Sequence, residues 1–371
     1  VKIALVHDWL TGMRGGEKVL EAMCEVWPEA DLYTLLHVRG KLSPIIENRR
    51  IVTSFIQRLP KAADWYRNYL PLMPYAIEQF DLRGYDLVLS TSHCVAKGVI
   101  TPPDTLHVSY LHTPMRYVWD LFEDYFGPAR AGRVKRAIIG WFAHRLRIWD
   151  VASATRVDDY VCNSAHVARR IAKFYRREAT VIHPPVDTAR FSIGTPEDFY
   201  LVVSALAPYK RIDLAVQACA KLGRKLKVVG TGQDFDRLRQ LAGPNIELLG
   251  WQDGATLEDL YRRCRAFLFP GEEDFGITPL EAQASGRPVI AFAKGGALET
   301  VRGLERDHPT GVFFAEQTAD DLARAVQLFE EKETAFAPAK IREHALGFDR
   351  AIFREQIKKH VEEAYDAYRA R

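Results

Sequence analysis

Residues 266–291 read AFLFPGEEDFGITPLEAQASGRPVIA. Four apolar residues, 266–269, read as a buried strand that Pro270 ends. An acidic loop follows, carrying Glu272, Glu273 and Asp274. Gly276 then gives way to an amphipathic stretch that reads as a helix over 278–285, and the PVIA run reads as a second strand over 289–291. Strand, loop, helix and strand in this order form a βαβ unit, which puts its two strands in parallel.

The same alternation extends in both directions. After position 198 the sequence predicts strands over 200–204, 227–229 and 246–248, with helices over 212–222, 235–241 and 257–263. Before position 185 it predicts strands over 2–7, 31–36, 87–90, 107–111 and 160–162, with helices over 17–26, 68–80, 133–154 and 165–175. Pro184 and Pro185 break the chain, and 191–196 reads as an exposed linker. The expected fold class is α/β, with two doubly wound units in tandem. The expected domains are 1–187, 188–349 and a final helix, 350–371, that packs back on the first unit. Open parallel sheets bind ligands beyond the carboxyl ends of their strands, so the cleft between two such sheets is the expected site.

Bulk properties agree with two globular domains. The chain has 371 residues, 47% hydrophobic and 27% charged, more than one core usually supports. A net charge of +3 gives no reason to expect nucleic acid as a partner. The five cysteines, Cys24, Cys94, Cys162, Cys219 and Cys264, include no CxxC pair and sit in apolar stretches. They read as buried thiols of a cytoplasmic protein, without a disulfide framework or zinc site. The opening VKIALVHDWL reads as a first strand and not a signal peptide. No apolar run approaches the ~18 residues of a membrane span, so any membrane contact is expected to be peripheral, on the inner face.

The candidate chemistry lies in the strand-to-helix loops. Phe275, Gly276, Ile277 and Thr278 open a helix whose free N–H groups suit a diphosphate. Glu281, one turn further on, has the chemistry to accept both hydrogens of a ribose diol, and Glu273 lies where the sugar beyond the diphosphate would sit. Lys210 and Arg211, in SALAPYKRID, begin a helix, where the dipole disfavours cations unless they serve an anion. Gly15 and Gly16 open the first helix, and Trp251 follows the strand over 246–248. His112 follows a strand of the first half. His93 and Lys97, in LSTSHCVAKG, are candidates for an acceptor side, and His7 reads as structural. Asp234 and Asp236 form a DFD that reads as helix N-capping and not as a metal site.

Glu273 and Glu281 in their E-x7-E arrangement, with the motifs LHTPMRYVW, CNSAHVARRI, VIHPPVDTARF, APYKRIDLAVQA, VVGTG and GGALETV, resemble family 4 of the retaining glycosyltransferases, which have the GT-B fold. The resemblance implies a transferase that needs no metal or cofactor and takes a nucleotide sugar as substrate. It implies Glu273 and His112 as catalytic residues that contact the donor sugar, and the Gly15–Gly16 loop as a cover for the donor. The EEDFGITPLEAQASG wording is similar to bacterial mannosyltransferases of surface polysaccharide assembly. That similarity implies GDP-mannose as donor and a glycan or polyprenyl-linked glycan as acceptor. The family usually carries an arginine five positions before Lys210; Ala205 stands there, which leaves Arg211 as the second cation. A non-hydrolysing sugar-nucleotide epimerase and a catalytically silent carbohydrate-binding protein remain as alternatives.

Residues 127–156 mix Arg130, Arg133, Lys135, Arg136, Arg145 and Arg147 with Ile138, Ile139, Trp141, Phe142, Ile148 and Trp149. Such a helix either lies at an anionic membrane surface or packs one face on the core with its basic face in water.

Overall fold

β-branched and aromatic runs supply two parallel sheets, each covered by helices. The computed structural model describes residues 1–120, 122–123 and 132–370. The chain divides into two compact units, Val1–Pro185 together with the chain from Phe353 on, and Val186–Ile352.

The first unit holds β1 (Ile3–His7), β2 (Asp31–Thr34), β3 (Ile51–Thr53), β4 (Leu87–Ser92), β5 (Leu106–Leu111), β6 (Asp159–Cys162) and β7 (Thr180–Val181). They pair in the order β3-β2-β1-β4-β5-β6-β7, all parallel. β4 and β5 are buried along their whole length, as expected of central strands covered on both faces. The order reverses between β1 and β4, which makes the carboxyl end of β1 the switch point of this sheet.

The second unit holds β8 (Tyr200–Val203), β9 (Leu226–Val229), β10 (Ile246–Gly250), β11 (Ala266–Phe269), β12 (Val289–Phe292) and β13 (Gly311–Phe314), in the order β10-β9-β8-β11-β12-β13. Its switch point is the carboxyl end of β8, beside β11. The quoted stretch is therefore the βαβ unit over β11 and β12, with its helix at Ile277–Ala284.

The last helix, Arg350–Arg369, carries the chain out of the second unit. Phe353, Ile357 and Val361 join the core of the first, with Leu5, Val108 and Val161.

β3, β7 and β13 were not anticipated. The expected helix over 68–80 is a 3-10 segment, Tyr66–Leu72, followed by a short α-helix, Met73–Glu78. Pro71 has no N–H for a continuous ladder, and Pro74 opens the next element. The 191–196 linker is anchored, because Phe191 is buried against Tyr261 and the Gly194 carbonyl accepts from Arg287. All five cysteines are free and buried.

Candidate active site

In the first unit, sheet register collects the candidate histidines. His7 pairs with Thr91 across β1 and β4, and Ser92 pairs with Leu111 across β4 and β5. The residues that follow, His93 and His112, thus emerge side by side. Ring centroids are 6.1 Å apart for His7 and His93, and 6.3 Å for His93 and His112.

Asp8, which no sequence signal singled out, organises this edge. It is fully buried. Its Oδ2 accepts the backbone N–H of His93 (2.7 Å) and Cys94 (3.0 Å), and its Oδ1 accepts those of Val95 and Ala96 (both 2.7 Å). The His93 ring Nδ1 stands 3.1 Å from Oδ2. One carboxylate thus fixes both the loop after β4 and the imidazole it carries.

Gly16 lies in the first turn of the helix Gly15–Val26. A Cβ there would rest 3.6 Å from both His112 Nε2 and His7 Cε1, so the glycine loop is in contact with the histidines. Glu17 follows, with Oε2 accepting the Arg14 N–H at 3.1 Å and Oε1 3.9 Å from His7 Nε2. Burial alone would lift the Glu17 carboxyl, but His7 outweighs it and holds the carboxyl below its ordinary value. His7 is fully buried and bonded through Nδ1 to Thr91.

Burial, with His93 and His7 alongside, pushes His112 well below the usual histidine value. It is a neutral imidazole at pH 7. Among the described residues its Nε2 makes no hydrogen bond, while its backbone is held by Ser92 and Asn163. Burial also lowers His93, against the pull of Asp8.

Lys97 does not fit its expected place on an acceptor surface. It is fully buried, with Nζ donating to the Asp150 carbonyl (2.8 Å) and Ser153 Oγ (2.7 Å) and pairing with Asp150 Oδ1 at 3.0 Å. A cation in the core needs such a partner. Asp150 also accepts from Trp119 Nε1 and Tyr175 OH. The pair ties the helix Arg133–Ala154 to the loop after β4.

In the second unit, the loops after β8 and β11 meet. Lys210 closes the 3-10 turn Pro208–Lys210, and its Nζ lies 2.5 Å from Glu273 Oε1. A Cβ on Gly271 would come 2.9 Å from the Lys210 carbonyl, so glycine is required for the approach. The Glu273 carbonyl accepts the Gly296 N–H at 2.8 Å, and Gly296 in turn has no room for a Cβ against Phe275. Glu273 is therefore set from both sides, by Lys210 and by the GG turn of GGALETV.

Gly276 has φ 91°, caps the helix Ile277–Ala284 without a side-chain bond, and would drive a Cβ to 2.9 Å from Phe269. The first N–H groups of this helix thus have no side-chain cap. Phe275 offers only its backbone, because its ring is buried with Val186 and Leu280, and Ile277 packs on the same cluster. Thr278 is half-buried in the first turn. Glu281, half-buried, accepts a hydrogen bond at 2.9 Å from the OH of Tyr261, itself fully buried. Sequence reading missed Tyr261, which lies on a different helix.

Arg211 does not pair with Lys210 as a second cation. Its left-handed backbone (φ 52°) starts the next helix, and Asp213 holds its guanidinium at 3.1 and 3.3 Å. Trp251 is 75% exposed beside the end of β10 and is not a core residue. Asp234 stands at an N-cap position but makes no capping bond, pairing with Arg237 at 3.6 Å. Among the described residues, no three His, Cys, Asp or Glu side chains converge as metal ligands.

Both halves have known counterparts. Residues 13–190 match Glycosyltransferase Family 4, and residues 186–346 match Glycosyl transferases group 1. Each match covers a little under half of the chain, so the first half is similar to the one family and the second half to the other. It is similar to the D-inositol 3-phosphate glycosyltransferase of Geodermatophilus obscurus, 32% identical over 238 residues, 54% of this chain and 51% of that protein. It is also similar to a GDP-mannose-dependent monoacylated alpha-(1-6)-phosphatidylinositol monomannoside mannosyltransferase of Corynebacterium glutamicum, 31% identical over 180 residues, 40% of this chain and 47% of that protein. The chain spans about half the length of the curated relatives it matches. Among solved structures, sucrose-phosphate synthase from Thermosynechococcus elongatus superposes with a TM-score of 0.73 at 17% identity, covering 99% of this chain and 100% of that one. The fold is GT-B.

Proposed function

We propose that this chain is a retaining, metal-independent hexosyltransferase that moves mannose from GDP-mannose to a glycan or polyprenyl-linked acceptor in surface polysaccharide assembly. The observation that carries the reading is the Lys210–Glu273 pair, 2.5 Å apart, beside the uncapped start of the helix Ile277–Ala284. A cation and free N–H groups together suit a diphosphate, and the carboxylate beside them suits the hydroxyls of the attached sugar. The likeness to the Corynebacterium glutamicum mannosyltransferase, whose name specifies GDP-mannose, supports the choice of donor.

In this reading the second unit holds the donor. Lys210 and the helix N-terminus stabilise negative charge as the bond from the anomeric carbon to the diphosphate oxygen breaks. Glu281, held by Tyr261, accepts from the ribose hydroxyls, and Glu273 accepts from the sugar. Trp251 flanks the base, and Thr278 adds a hydroxyl to the diphosphate cradle. Neutral His112, with Gly15 and Gly16 next to it, bonds the sugar from the first unit, and His93 lies on the acceptor side. The acceptor oxygen attacks the face the diphosphate leaves, its proton passes to the departing diphosphate, and configuration is kept.

A panel of nucleotide sugars, incubated with and without glycan acceptors, tests the reading. GDP together with a new α-mannoside is the expected outcome. An isomerised donor would mark an epimerase, and an unchanged donor with every acceptor a carbohydrate-binding protein; either overturns the proposal.

A further inference from the structure

The helix Arg133–Ala154 has 22 residues, about 33 Å at the helical rise. Its inner face is formed by Ala143, Leu146, Asp150 and Ser153, all buried. Opposite that face runs a stripe at helical spacing: Val134 (76% exposed), Ile138 (54%), Trp141 (54%) and Ile148 (55%). Where the spacing calls for another member, Arg145 lays its guanidinium over the Trp141 ring, 5.1 Å from the centroid. Helices that face water carry polar residues outward; this one also carries Val134, Ile138, Trp141 and Ile148 there.

The charges of the helix are sorted as well. Its one acid, Asp150, is inside the core on Lys97. Arg147 turns inward, bonding the Val118 carbonyl and covering Phe122, and Arg136 pairs with Glu123. Arg133, Lys135 and Arg145 are left exposed around the apolar stripe. Of the basic stretch expected from sequence, 127–131, with Arg130, lies outside the described residues. The outward face is apolar along its centre, interrupted by Arg145, with Arg133 and Lys135 at its edges. No helix of the described residues is long and apolar enough to cross a membrane.

We infer that this face docks on an anionic lipid bilayer, with Val134, Ile138, Trp141 and Ile148 entering the headgroup boundary. Arg133 and Lys135 reach lipid phosphates from its edges, and Arg145 from within it. Charge complementarity selects the occupant: an apolar stripe bordered by cations, with no carboxylate of its own helix exposed, matches an apolar boundary topped by phosphates. Trp at the centre suits the same depth. Docking would bring the first unit to a lipid-linked acceptor, and in this it rests on the proposed function; the binding itself does not.

The test is co-sedimentation of the full chain, without donor, with phosphatidylcholine vesicles and with vesicles containing phosphatidylglycerol. Salt-sensitive pelleting with the anionic vesicles is expected. Ile138→Ser with Trp141→Ser, which changes no charge, should weaken it roughly tenfold or more. Arg133→Gln with Lys135→Gln should weaken it and flatten its salt dependence. All four side chains are exposed, so thermal melting and turnover with a soluble acceptor should stay as in the wild type. Absence of pelleting at low salt would overturn the inference, as would full binding by the apolar double variant. A dimer in sedimentation that Trp141→Ser dissolves would assign the stripe to a second copy instead and overturn it equally. A chain that binds vesicles but transfers no sugar would refute the proposed function alone.

Discussion

Lys210 and Glu273 form an ion pair, Nζ to Oε1 at 2.5 Å, across the loops that follow β8 and β11. Both side chains are largely shielded from water, at 14% and 21% exposure. Without an anionic ligand, Glu273 neutralises the lysine and keeps it positioned. In the proposed function, an arriving diphosphate gives the lysine a second anionic partner. Lys210→Met should therefore lower kcat/KM roughly 10- to 100-fold, the loss of one charge-assisted contact worth about 1.5–3 kcal/mol. Lys210→Arg should recover part of it. Steady-state kinetics on the three proteins checks this, and an unchanged Lys210→Met would remove the lysine from the site.

Asp8 gives a stability prediction. Its carboxylate accepts four backbone N–H groups and faces the His93 ring. Asp8→Asn turns an N–H₂ toward donors and leaves at least two of them unpaired in the core. The first unit should lose about 3 kcal/mol or more, read as a lower urea midpoint. A midpoint within error of wild type would mean that the loop is held by other contacts.

The buried His107 and the half-buried His112 set a pH dependence. His107 is pushed down to about 4 by burial, and His112 is lowered too. Between about 6.5, the unfolded value, and about 4 for His107, the unfolded chain binds a proton that the folded chain does not. Stability from these groups is complete above about 6.5 and is lost as pH falls through that window. Urea midpoints at pH 7.5, 6 and 5 should decline in that order. A flat series would contradict neutral burial.

Chelation bears on the donor site. If Lys210 and the helix start carry the diphosphate, activity should survive EDTA. Loss of activity, with rescue by magnesium or manganese, would show that a metal bridges the phosphates.

Sequence disclosed the two doubly wound sheets because apolar runs alternate with amphipathic helices, and ten of the strands follow that rhythm. β3, β7 and β13 escaped: β3 and β7 are only three and two residues long, and β13 is a four-residue run that opens on a glycine. The candidate donor loops stood out because Lys210, Glu273, Gly276 and Glu281 each sit where a strand gives way to a helix. What the sequence hid are pairings made by the fold. Asp8 and His93 are 85 positions apart, and nothing local marks a carboxylate after a buried strand as the clamp of a distant loop. Lys97, in a loop with His93, looks like a surface lysine until Asp150 is seen to be buried against it. In the same way, Asp213 takes the cation of Arg211 that Lys210 was expected to have beside it.

In the proposed function the second unit reads the donor with two carboxylates, Glu281 on the ribose and Glu273 on the sugar. Calorimetry with GDP tests it most directly. Glu281→Gln keeps an acceptor for the buried Tyr261 hydroxyl while removing the charge, and it should weaken GDP binding roughly tenfold, with Glu281→Ala weaker still. Glu273→Ala should bind GDP about as tightly as wild type, since GDP has no sugar for Glu273 to hold, while its kcat falls. GDP affinity lost equally in the Glu273 and Glu281 variants, or untouched in both, would contradict the account.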